Sequence, residues 1–103
     1  MKTVISIAKK YIARVKKSGI PISAAYLFGS FAKGAEKKYS DIDICVISPA
    51  FGKDYFEEMV ELSYLTHAVD DRIEPVAYGL NDLDDRYSTL AAEIRQHGIP
   101  LTK

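Results

Sequence analysis

Two short apolar runs, each ending or beginning in residues unsuited to a core, constrain this chain more than anything else in it. Ala24 to Phe28 leads into Gly29-Ser30-Phe31-Ala32-Lys33-Gly34, and Ile42 to Ile47 follows Ser40-Asp41 and carries Asp43 near its start. Such runs, bounded by turn residues, read as strands with little face left for water. Along a strand successive side chains alternate faces, so Asp41 and Asp43 point one way while Ile42 and Ile44 point the other. Paired carboxylates repel and are costly to bury, so water or a cation must compensate them. Magnesium, a hard ion that prefers oxygen ligands and keeps water and substrate phosphates, fits the pair.

The neighbouring segments supply a frame. From about Thr3 to Ser18, Val4, Ile7, Ala8, Tyr11, Ile12 and Val15 recur at helical spacing, with Lys9, Lys10, Arg14, Lys16 and Lys17 between them. Gly19 and Pro21 end that helix. A first strand spans Ile22 to Phe28, a helical turn runs from Ser30 to about Ala35, and Asp41 to Ile47 is the second strand, closed by Ser48-Pro49. Between about Asp54 and Val69 a second amphipathic helix is built on Phe56, Met59, Val60, Leu62, Tyr64 and Leu65, with Glu57, Glu58 and Glu61 between. Arg72 to Tyr78 is a third strand, which Pro75 confines to an edge or a bulge because it lacks a ladder donor. A last helix is capped by Asn81, has Asp82, Asp84 and Asp85 in its first turn and a Leu83, Tyr87, Leu90 and Ile94 stripe, and ends at Gly98. The expected fold class is α/β: one domain over residues 1–103, with a small mixed sheet of three to four strands flanked by helices.

For Asp41 and Asp43 to meet Gly29 and Ser30, the first two strands must run antiparallel. The helix that follows is long enough to return the chain as a crossover, which makes the third strand parallel to the second. Glu74 then arrives at the same end of the sheet as a third carboxylate. Gly29 permits close backbone approach, Ser30 offers a hydroxyl, and the amides opening a short helix can grip a phosphate. Lys33, one turn on, offers charge, while Lys37 and Lys38 have the bland reading of a solvated loop. The chemistry that uses all these parts is phosphoryl-group transfer with two metal ions.

Composition narrows the setting. The 103 residues contain 14 Lys plus Arg and 14 Asp plus Glu, so overall charge points to neither nucleic acid nor an anionic membrane, and any polyanion site must be local. Cys45 is the only cysteine, which excludes an internal disulfide and suits a reducing cytoplasm; no run approaches a membrane span. His67 and His97 lack ligand spacing and read as surface or helix-end residues, and Cys45 reads as a small core residue.

Gly29-Ser30, ten intervening residues and then Asp41-Ile42-Asp43 resemble the signature of the DNA polymerase beta-type nucleotidyltransferase superfamily. The short tail Glu93-Ile94-Arg95-Gln96-His97-Gly98-Ile99-Pro100-Leu101 is similar to that of its minimal members, among them the antitoxins paired with HEPN-domain toxins. The resemblance implies a polymerase beta-like palm and a magnesium-dependent transfer of a nucleoside monophosphate, AMP from ATP, to a hydroxyl. It implies that Gly29 and Ser30 bind nucleotide phosphates, with Lys33 near them. By the same resemblance Asp41, Asp43 and Glu74 hold two magnesium ions. This sequence has glutamate where the third carboxylate is more often aspartate, and lysine at position 33 where arginine is frequent. A chain this short leaves little for an acceptor pocket, so the acceptor is expected on a partner, a HEPN toxin.

Two other functions fit the same residues: a non-catalytic antitoxin that acts by occlusion, and an antibiotic-type adenylyltransferase that binds its acceptor between subunits of a dimer. Self-association is left open. For Glu74 the bland alternative is a solvated edge carboxylate or a partner for Arg72.

Overall fold

The computed structural model describes residues 2–102. The elements are α1 (Lys2–Lys17), β1 (Ala24–Phe28), α2 (Ser30–Lys33), β2 (Ile42–Ile47), α3 (Tyr55–Thr66), β3 (Ile73–Tyr78), a 3-10 turn (Asp82–Asp84), α4 (Thr89–His97) and β4 (Ile99–Pro100). They form a four-stranded sheet in the order β3-β2-β1-β4, with β1 antiparallel to β2 and β4 and with β3 parallel to β2. This is the mixed sheet flanked by helices that the sequence leads one to expect. Pro75 does lie on an edge strand, since β3 pairs only with β2.

Strand alternation sorts the core into two layers. Ala25, Leu27, Ile42, Ile44, Val46, Ile73 and Ala77 face α1 and α3, and pack with Val4, Ala8, Tyr11, Ile12, Val15, Leu62 and Leu65. Phe28, Cys45, Ile47 and Tyr78 face the opposite side, where Ala91 and Ile94 of α4 cover them. The central strand β2 is therefore apolar on both faces, which explains its nearly unbroken hydrophobic run. Asp43 shares parity with Cys45 and Ile47, so the aspartate lies on the α4 side of the sheet, at the end of the strand where the apolar cover stops.

Three expectations need correction. The last helix is not continuous from Asn81: Asn81 makes no side-chain cap bond, the chain forms only a 3-10 turn, and α4 begins after Ser88, whose hydroxyl accepts from the Ala91 amide at 3.0 Å. Asp82 accepts from the Gly79 amide and Asp85 from the Tyr87 amide, so short polar side chains capture backbone that a helix would need. Tyr87 leaves the expected stripe altogether and is 96% exposed.

Helix α3 buries Leu62 and Leu65 but turns Phe56, Val60 and Tyr64 outward, so half of its apolar residues are not core. Glu58 goes the other way: it is almost buried, and its carboxylate accepts from the amides of Gly52, Lys53 and Asp54 at 3.0 to 3.1 Å. Those three backbone donors, Gly52 foremost, hold its pKa below the ordinary carboxylate range. The tail adds β4, a strand that periodicity could not mark because it is two residues long. No helix among the described residues is long and apolar enough to cross a membrane.

Candidate active site

Gly29 joins β1 to α2 with φ 74 and ψ −150, a backbone region open to glycine and strained for any other residue. A Cβ placed there would collide with Asp43 Oδ2 and stand 2.9 Å from Asp43 Cγ. The register explains the closeness, because Phe28 pairs with Asp43 across the antiparallel ladder. The glycine thus leaves room for a carboxylate on the neighbouring strand.

On the other side of β2, Asp43 pairs with Glu74 in the parallel ladder, and the two share a face. Arg72 does not claim Glu74: its guanidinium is bonded to Asp70 at 2.9 and 3.1 Å, and Glu74 is exposed. Asp41 immediately precedes β2 and is exposed. The sequence-derived carboxylates therefore gather at one sheet end, beside Gly29.

The electrostatics record that gathering. Burial, followed by the negative charges of Asp41, Glu74 and Glu93, pushes the Asp43 carboxyl up to about 6, against a smaller opposing pull from Lys33. None of the ion pairs among the described residues involves Asp41, Asp43 or Glu74. An oxygen donor set with no ion-pair partner among the described residues fits a hard divalent cation. Among the described residues no three His, Cys, Asp or Glu side chains converge tightly enough to cage a metal by themselves. A magnesium ion here would need substrate phosphates and water to complete its shell, which is its usual habit.

α2 is a single turn, closed by Gly34 at φ 69, with the Lys33 amide bonded to the Gly29 carbonyl at 3.1 Å. A turn this short has little macrodipole, so any grip on phosphate falls to the Gly29-Ser30 backbone and the Ser30 hydroxyl. Lys33 Nζ is held at 2.6 Å by Glu93 Oε1 of α4. Residue spacing assigns Glu93 no role, because it lies 60 residues from Lys33 and no spacing rule connects them. Lys37 and Lys38 are exposed, with Lys38 Nζ 5.4 Å from the Tyr39 ring centre. His67 pairs with Asp71 on the surface, as its bland reading has it, and Cys45 is buried.

A family described as "Nucleotidyltransferase domain" matches residues 8–88. No curated protein sequence matches the chain. Among solved structures, one from Sulfolobus solfataricus assigned as a nucleotidyltransferase superposes with a TM-score of 0.72 at 20% identity, over 95% of this chain and 78% of that one. A toxin–antitoxin complex with AMP-PNP gives 0.66 at 28% identity, over 91% and 72%. A complex of tri-AMPylated Shewanella oneidensis HEPN toxin with an MNT antitoxin gives 0.58 at 24% identity, over 95% and 71%.

Proposed function

The chain belongs to the nucleotidyltransferase domain family, and from that premise we propose that it transfers AMP from ATP to a hydroxyl on a partner protein, a HEPN toxin that is thereby neutralised. The observation that carries the reading is the convergence of Gly29, Asp43 and Glu74: the glycine abuts the aspartate, and the aspartate is register-paired with the glutamate. That arrangement supports a metal- and phosphate-binding role for this end of the sheet. The choice of nucleotide draws on the 28%-identical neighbour, whose complex contains AMP-PNP, an ATP analogue. The same neighbour is a toxin–antitoxin complex, which favours a protein acceptor.

In this reading Gly29 and Ser30 receive the leaving β- and γ-phosphates, and Lys33 lies within one helical turn of them. Asp41, Asp43 and Glu74 would hold magnesium, two ions in the full site, which would neutralise the charge that develops during transfer. The acceptor oxygen forms a bond to the α-phosphorus while the bond from that phosphorus to the bridging oxygen breaks. Pyrophosphate leaves with the electron pair, and the hydroxyl proton passes to Glu74. Glu74 is exposed on an edge strand, so a hydroxyl carried by another protein has access to it. The buried, unpaired Cys45 is compatible with a reducing cytoplasm as the setting.

The test is to incubate the protein with labelled ATP and magnesium, with and without the protein encoded beside it, and to repeat this with Asp41→Asn/Asp43→Asn. Label on the neighbour that disappears with the double variant is the expected result. Neutralisation of the neighbour that persists in the double variant without any label would replace this reading with occlusion.

A further inference from the structure

Lys33 and Glu93 form the tightest ion pair among the described residues, 2.6 Å between Nζ and Oε1. It joins α2, the turn that follows Gly29-Ser30, to α4, and both of its charges act on the Asp43 carboxyl. Lys33 is the lysine nearest in sequence to that turn, so in the proposed reaction it is the cation best placed to meet the triphosphate. In the structure its charge is already taken. Glu93 lies in α4, beyond the residues 8–88 that match the family.

Both side chains are partly open to solvent, 39% for Lys33 and 31% for Glu93, so the pair can exchange partners without unfolding either helix. Its geometry also matches what would replace it. A carboxylate oxygen on an ammonium and a phosphate oxygen on an ammonium use the same donor at nearly the same distance. Glu93 has a second effect on the site, because its charge adds to those of Asp41 and Glu74 in the field felt by Asp43. An anion arriving there meets repulsion from Glu93 and finds Lys33 occupied.

We infer that Glu93 stands in for nucleotide phosphate: in the nucleotide-free chain it holds the Lys33 ammonium, and a bound triphosphate takes its place. The inference rests on the proposed nucleotidyltransferase reading and assigns Glu93 as a positioning residue that sets nucleotide affinity. The competing account is a surface ion pair that merely ties α2 to α4. The two accounts differ in what removal of the Glu93 charge does to binding.

The experiment measures the dissociation constant of a non-hydrolysable ATP analogue with magnesium, by titration calorimetry, for the wild type, Glu93→Gln, Lys33→Met and the double variant, with Tm recorded for each. Glu93→Gln is expected to bind about two- to five-fold more tightly, the range set by exchange of a partly exposed pair. Lys33→Met is expected to bind more weakly, and adding Glu93→Gln to it should bring a clearly smaller gain than in the wild type, because only the repulsion from Glu93 is then relieved. Unchanged or weaker binding by Glu93→Gln, or an equal gain in the Lys33→Met background, overturns the inference. Should Glu93→Gln fail to fold, Glu93→Ala, which also removes the charge, replaces it with the same expected tightening. A wild type that does not bind the analogue contradicts the nucleotidyltransferase reading itself and this inference with it. Wild-type binding with a flat Glu93→Gln response contradicts this inference alone.

Discussion

Gly29 is packed so closely against Asp43 that a methyl group on the glycine would stand 2.9 Å from the aspartate Cγ, after colliding with Oδ2. Gly29→Ala therefore has to displace either its own backbone or the carboxylate. Its φ of 74 with ψ −150 adds strain of about 1 to 3 kcal/mol for a residue with a Cβ. Urea denaturation is expected to show a loss of that size, and transfer is expected to fall by about a hundredfold, since a displacement near 1 Å at reacting groups has that effect. Full activity in a Gly29→Ala protein would mean that the Gly29–Asp43 contact does not shape the site.

Glu74 is exposed on the edge strand and has no ion-pair partner among the described residues. Glu74→Gln should thus leave stability within about 0.5 kcal/mol of the wild type. Transfer should fall by about a hundredfold or more. Near-normal turnover in steady-state assays would return Glu74 to the role of a solvated carboxylate.

The Asp43 carboxyl is pushed up to about 6 by burial and by its acidic neighbours, from an ordinary value of 3.8. The folded chain therefore holds this proton more tightly than the unfolded chain does. Above pH 6 the charged carboxylate costs stability, and the cost is relieved as pH falls from 6 toward 4. Without magnesium or nucleotide, Asp43→Asn should raise Tm at pH 7.5 by an amount equivalent to about 1 kcal/mol, discounted for partial exposure. The difference from wild type should shrink to nothing near pH 4. A Tm difference that does not vary with pH would show that Asp43 carries no such burden.

Tyr11 on α1 donates to the Leu62 carbonyl on α3 at 2.7 Å, and the ring is fully buried. This bond ties together the two helices on the face opposite α4. Tyr11→Phe should cost about 1 kcal/mol in urea denaturation, enough to lower Tm by several degrees in a domain this size. Nucleotide binding should be unchanged. An unaltered denaturation midpoint would show that water satisfies the carbonyl equally well.

The sheet was legible because its strands carry local signatures: Pro75 placed β3 on an edge, Gly29 ended β1, and the length of the α3 crossover fixed the parallel pairing of β3 with β2. The same logic placed Glu74 beside Asp43, since a parallel crossover leaves little freedom for where a strand begins. What escaped was set by long-range contacts or by competition. The Lys33–Glu93 pair joins residues 60 apart, and no periodicity reports it. The break before α4 depends on Asp82, Asp85 and Ser88 capturing amides, a choice between helix and turn that composition does not decide. On α3 the spacing of Phe56, Val60 and Tyr64 is helical, yet only Met59, Leu62 and Leu65 reach the core, because β3 and α1 cover one side of that helix alone.

In the proposed reaction this site moves the nucleoside monophosphate part of ATP and releases the rest as pyrophosphate. This is tested most directly by supplying ATP labelled at the α-phosphate or at the γ-phosphate, with magnesium and the neighbouring protein, and following where each label goes. The account expects the α label on the acceptor protein and the γ label in pyrophosphate. The γ label on the acceptor, or in free phosphate with no α label transferred, would contradict it.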